Sequence, residues 1–250
     1  MQNDPVIKTK QVDQLYTQLT SDQIDLSVHS TVETVEIPGR PSQPQLVHPS
    51  KVARRNLNTE QGRVALVHAI CHIEFNAINL ALDAVYRFQH MPRDYYFDWM
   101  KVAAEESKHF LLLSDRLNQL NSAYGHHPAH NGLWEMAIKT QHNIVERMAL
   151  VPRVLEARGL DVTPGMISRL EFAGDIDTVN ILKIILQDEI GHVEIGTRWF
   201  RHACKQQNLD SEATFISLLK QYNVTVANGP LHIDARQQAG FSKEELKALS

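Results

Sequence analysis

Two stretches far apart in the chain, AAEESKHF at residues 103–110 and LQDEIGHV at 186–193, share one order of residues: an acid, a Glu, two spacers and a His. Read at helical spacing, Trp99, Val102, Ala103, Phe110 and Leu113 fall one or two turns from Glu106, which places Glu106 and His109 on an apolar stripe. The second stretch repeats this, with Leu182, Ile185, Leu186, Val193, Gly196 and Trp199 around Glu189 and His192. A charge on such a stripe costs several kcal/mol unless it is neutralised or paired with a cation. The i, i+3 spacing turns each Glu and its His toward the same side of the helix, within reach of one ion.

Outward from these stretches, apolar residues recur every three or four positions from Glu60 onward, over segments almost free of Gly and Pro. Four long helices are expected, over 60–89, 93–121, 131–158 and 175–206, with a short helix near 165–173. Pro152 falls inside the third and should kink or end it, because it removes a backbone donor. Weaker helices are expected at 211–222 and 242–249. Residues 1–59 read as an irregular arm, with strand-like pieces such as TVETVEIPG at 31–39 and a Pro-rich run at 38–50. Four helices with wide apolar stripes bury them most economically against one another, so the expected fold is an all-α four-helix bundle over 60–206. An N-terminal arm at 1–59 wraps it and C-terminal helices at 207–250 extend it. The connection between the second and third helices is long enough for a crossover.

The other two long helices each offer one more acid in an apolar setting. Glu74 is flanked by Val67, Ile70, Cys71, Ala77, Ile78 and Ala81; Glu146 has Ala149, Leu150 and, one turn above, His142. Glu74, Glu106, His109, Glu146, Glu189 and His192 then form a set of four carboxylates and two imidazoles. Two divalent ions match four carboxylates in charge, and the N/O donor set suits iron or manganese. The acids just before each Glu are suited to a supporting role, because ligand histidines usually donate their second N–H to a carboxylate. Asp188 is expected to orient His109, Glu105 to orient His192, and His142 to support Glu146 or be a hydrogen-bonded core histidine.

The order Glu, Glu-x-x-His, Glu, Glu-x-x-His resembles the ferritin-like superfamily of carboxylate-bridged dimetal proteins. More closely, LVHAICHIEFNAINLALDAVYRF (66–88), MPRDYYFDWMKVAAEESKHF (91–110), MALVPRVLEARGLDVTPGM (148–166) and LQDEIGHVEIGTRWF (186–200), with PGRP at 38–41, are similar to a bacterial ferritin-like family of unknown function. The resemblance implies a dimetal site with two iron (or manganese) ions. It also implies a non-haem di-iron oxygenase or hydroxylase using O2 or peroxide on a small-molecule substrate, with an electron-donor protein. Its alternatives are a ferritin-like ferroxidase or iron store, and a manganese catalase or peroxidase.

Composition narrows the classes. A formal net charge of -4 argues against a broad nucleic-acid surface, and KVARR at 51–55 is the one dense basic run, read as a solvated loop. Two cysteines, Cys71 and Cys204, allow neither a disulfide framework nor a four-cysteine iron–sulfur module. The polar N-terminus does not read as a signal peptide, and no run of about 18 apolar residues is apparent, so a soluble, cytoplasmic protein is expected. The terminal extensions would encumber a symmetric cage and favour a monomer or homodimer. Gly191 and Gly196 cost the fourth helix about 1 kcal/mol each relative to Ala, which points to close helix contact or to room beside the metals.

Overall fold

The structure is a computed structural model that describes residues 2–52, 56–224 and 229–249. Among these residues the chain is all-helical, with no strand and a single isolated bridge between Leu46 and Ala129. The α-helices are α1 (Pro5–Thr20), α2 (Glu60–Arg87), α3 (Arg93–Gln119), α4 (Gly132–Lys139), α5 (Ile144–Leu150), α6 (Arg158–Phe172), α7 (Ile176–Gln206), α8 (Ser211–Gln221), α9 (Ile233–Gln238) and α10 (Lys243–Ala248). The chain divides into two compact units, residues 1–138 with 173–181, and residues 139–172 with 182–250.

In the first unit, α2 and α3 carry the core, including Val67, Ile78, Trp99, Phe110 and Leu113. Thr59 caps α2 by accepting from Gly62 N, and Gly62 is required there because a β-carbon would fall 1.9 Å from Asn56 O. By length and composition α2 is apolar enough to cross a membrane, contrary to the expectation from the sequence. Yet 83% of its most apolar window is buried within the protein, as in a core helix. Asp175 ties the start of α7 to this unit, accepting from Arg116 Nη2 at 2.8 Å and lying 3.7 Å from Arg63.

The N-terminal segment departs from the irregular arm expected. It opens with α1, capped by Asp4 with Pro5 at the first helical position, and α1 buries Lys8, Thr9, Val12 and Leu19. Its apolar face is narrow, so the period is faint in sequence. The following stretch holds no strand; it is pinned by Trp134 Nε1 donating to the carbonyls of Val35 and Glu36, and by Tyr86 Oη accepting from Glu33 N. Of the basic run KVARR, residues 53–55 lie outside the described residues.

In the second unit, the single helix expected over 131–158 is broken. After α5 the backbone widens into a π-turn at Val151–Glu156, where Ala157 N bonds Pro152 O at 3.0 Å, and the chain continues directly into α6. Pro152 supplies the cause, since it has no N–H for the α-helical ladder. The helix expected near 165–173 therefore begins at Arg158, and Gly159, the residue just past the helix expected over 131–158, lies inside it. Gly196 of α7 receives Pro152: a β-carbon at 196 would sit 2.5 Å from Pro152 Cβ. Among the described residues, no atom lies within 4 Å of a β-carbon built on Gly191, so only Gly196 has the predicted close contact.

Arg153 and Arg147 are both buried in this unit. Arg153 pairs with Glu245 at 2.7 Å and lies over the rings of Phe215, Phe241 and Phe200 at 4.2, 4.6 and 4.8 Å. Arg147 Nε donates to Thr140 Oγ1 at 3.0 Å. Both cysteines are free and buried.

Candidate metal centre

Of the six predicted ligands, Glu74, Glu106 and His109 fall in the first unit and come together there. Their ligand atoms lie within 4.8 Å of one another and all three side chains are buried. Nδ1 of His109 is 3.2 Å from Glu74 Oε2 and 3.3 Å from Glu106 Oε2. The cause is local: α2 and α3 each turn an apolar stripe inward, and the acids ride on those stripes in mid-helix.

The electrostatics follow from that confinement. Burial, then the charge of Glu106, pushes the Glu74 carboxyl up to about 8, against the pull of the His109 hydrogen bond. Burial by itself would lower His109, but its hydrogen bonds to Glu106 and Glu74 and their charges outweigh it and raise the imidazolium far above its ordinary value. Nearby, burial lifts the Cys71 thiol well above its usual value, with Glu74 adding to it, so Cys71 is a small core residue; Sγ faces Phe110 O at 3.8 Å.

His68 and His72 point away from this cluster. His68 Nε2 accepts from Gly125 N at 2.9 Å. His72 sits 2.9 Å from Tyr124 Oη and 2.9 Å from Asn76 Nδ2, and burial lowers its imidazolium to about 4. Glu105 pairs with Lys101 on its own helix at 2.7 Å. Tyr95 Oη donates to Ala84 O, a packing role.

Glu146, Glu189 and His192 fall in the second unit. Glu189 Oε2 is 3.8 Å from His192 Nδ1, one turn apart on α7, and His192 is buried. Asp188 beside them is half-buried. Glu146 is engaged differently: the Tyr222 hydroxyl donates to its Oε2, His142 Nε2 lies 3.3 Å away, and Asn143 Nδ2 is 3.5 Å from Oε1. His142 is 61% exposed, so it is a surface partner of Glu146 and not the core histidine weighed in the sequence. Burial, then the bond to Glu146, raises the Tyr222 phenol to about 12. Tyr222 was missed because it lies 76 positions from Glu146, at the end of the weak helix expected over 211–222, where no spacing links it to that acid.

Two carboxylates and one imidazole, all buried, make a mixed N/O donor set. The cluster of Glu74, Glu106 and His109 could hold a metal.

Comparison with known proteins bears on the whole chain. A family profile described as "Protein of unknown function (DUF455)" matches residues 1–247. An "Uncharacterized protein" of Haemophilus influenzae is 49% identical over 213 residues, which cover 82% of this chain and 74% of that protein. No solved structure matches the chain.

Proposed function

Since the chain belongs to this family of unknown function, whose description assigns no activity, we propose from the chemistry of its buried acids that it is a metal-dependent oxidoreductase. The proposed protein is a ferritin-like, non-haem di-iron (or dimanganese) oxygenase or hydroxylase. The observation that supports it most is the buried meeting of Glu74, Glu106 and His109, whose carboxylate and imidazole atoms converge closely enough to serve one divalent ion as ligands once their protons are displaced. The second support is repetition: each unit carries one Glu and one Glu-x-x-His, Glu74 with Glu106 and His109, then Glu146 with Glu189 and His192.

In this proposal those six side chains hold two ions in a ferritin-like four-helix bundle. When bound, such ions supply redox equivalents for the activation of O2 or peroxide. The chain's own residues do the rest. Glu74 and Glu106 carry the compensating negative charge, and the apolar side chains around them keep bulk water out. His109 and His192 give neutral donors, oriented through their second ring nitrogens by Asp188 and Glu105 respectively. Tyr222 restrains one oxygen of Glu146, leaving the other to turn toward an ion. A small organic substrate and an electron-donor protein complete the reaction class.

Metal content per chain on freshly purified protein tests it, beside the Glu106→Ala, Glu189→Ala double variant. About two iron or manganese ions per chain, lost in the variant, is the expected result. No metal after anaerobic reconstitution with Fe(II) or Mn(II) would overturn it.

A further inference from the structure

Helix α1 places a lysine where its buried face should be apolar. Lys8 is 5% exposed, and its ammonium donates to the carbonyl of Gly39, within the PGRP run, and to Asn79 Oδ1 on α2. The same nitrogen lies 4.8 Å from the centre of the Phe75 ring. All three neighbours are neutral, and among the described residues no carboxylate lies within ion-pair distance of Lys8. Its charge is therefore buried without compensation, which is costly, and desolvation lowers the ammonium to about 8.

Lys8 lines a cavity of about 380 Å³. The other walls are mainly apolar, from Val12, Leu15, Val35, Pro38, Leu82 and Trp134, and the exposed Gln11 and Leu15 open it to solvent. Apart from the side-chain amides of Gln2 and Gln11, the other polar groups of the wall are already engaged. Asp83 accepts from Arg87 Nη2 at 2.8 Å and from Nε, the Tyr86 hydroxyl is shared between Glu33 N and Thr31 O, and Trp134 Nε1 donates to two backbone carbonyls. Asn79 Nδ2 donates to Phe75 O. The wall thus presents one cation lacking an anion, beside apolar surface of ligand size.

We propose that this cavity binds a small monocarboxylic acid with an apolar body, its carboxylate against the Lys8 ammonium and its body among Val12, Leu82 and Trp134. One uncompensated cation matches one negative charge, so a monocarboxylate fits where a phosphate dianion would bring a second charge into apolar walls. The site is separate from the proposed metal ligands and stands whether or not the chain holds metal.

Titration calorimetry of the full-length chain with octanoate, 1-octanol and octylamine tests this, using wild type, Lys8→Met and Leu15→Trp. Octanoate should bind wild type at least about tenfold more tightly than octanol, with octylamine weakest, and Lys8→Met should lose that preference while keeping octanol. Leu15→Trp, which fills the mouth, should weaken both. If Lys8→Met fails to fold, the order of the three ligands on wild type still decides the matter. Failure of octanoate to bind wild type, or binding no tighter than octanol, overturns the proposal, as does unchanged octanoate affinity in a folded Lys8→Met.

Discussion

One ring nitrogen of His109 faces two carboxyl oxygens, Glu74 Oε2 at 3.2 Å and Glu106 Oε2 at 3.3 Å. With Glu74 raised to about 8 and His109 raised above neutrality, both keep a proton at pH 7. A divalent ion must displace both, since ligands bind deprotonated. Affinity for Mn(II) should therefore fall as pH falls, with log K changing by about two per pH unit below pH 8 and about one above it. Chelator competition at pH 6.5, 7.5 and 8.5 measures this; an affinity independent of pH would refute it.

Glu74→Gln replaces a protonated carboxyl with a neutral group of the same shape. In metal-free protein it should change stability by about 1 kcal/mol or less at pH 5, where the carboxyl is protonated in most folded and some unfolded chains, and should leave the variant increasingly the more stable of the two toward pH 8. The folded-state value for Glu74 lies above the unfolded value of about 4.3, so the folded chain binds the extra proton between the two. Wild-type stability then declines as pH rises through that window, up to about pH 8, and the Gln variant should lose this part of the decline. Added Mn(II) should raise the melting temperature of wild type and not of the variant. Thermal unfolding from pH 5 to 8, with and without metal, reads both effects.

Two glycines of α7 should respond in opposite directions to the same change. Gly191→Ala meets no steric obstacle among the described residues and should stabilise the metal-free protein by about 0.5–1 kcal/mol through helix propensity. Gly196→Ala drives a methyl to 2.5 Å from Pro152 Cβ and should destabilise by about 1–3 kcal/mol. Urea denaturation of the two variants settles it; equal shifts would disprove the contact.

Arg153 and Glu245 form a buried pair at 2.7 Å, with the guanidinium ringed by three phenylalanines. Glu245→Gln keeps an oxygen for the cap of α10 but leaves the arginine charge uncompensated, and should cost about 3–5 kcal/mol. Ser242→Ala, which removes the cap hydroxyl together with its bond to Glu212 Oε2 but leaves the ion pair, should cost about 1 kcal/mol. Similar losses in the two variants would mean that the ion pair contributes little beyond its capping bond.

Helices α2, α3 and α7 were readable because each carries an apolar period over many turns, and the same period exposed Glu74, Glu106 and His109 as charges out of place. The sequence also predicted a break at Pro152, but not that the chain would absorb it as a π-turn and run on into α6, which depends on Gly196 some 44 positions later. Helix α1 escaped because its buried face mixes Lys8 and Thr9 with Val12 and Leu19, a pattern that makes sense only once Asn79 and Gly39 are beside the ammonium. Tyr222 was hidden for the same reason: its role is defined by a partner on another helix.

The interleaving of the two units along the chain bears on how the protein is made. The first unit is not complete until residue 181 has been synthesised, and by then residues 139–172 of the second have already emerged. On the ribosome Arg116 and Arg63 of the early helices must therefore wait for their partner Asp175 until the start of α7 arrives. No single proteolytic cut can release either unit whole, so limited digestion should yield nicked protein that stays assembled, or loss of the entire fold, in place of a stable half.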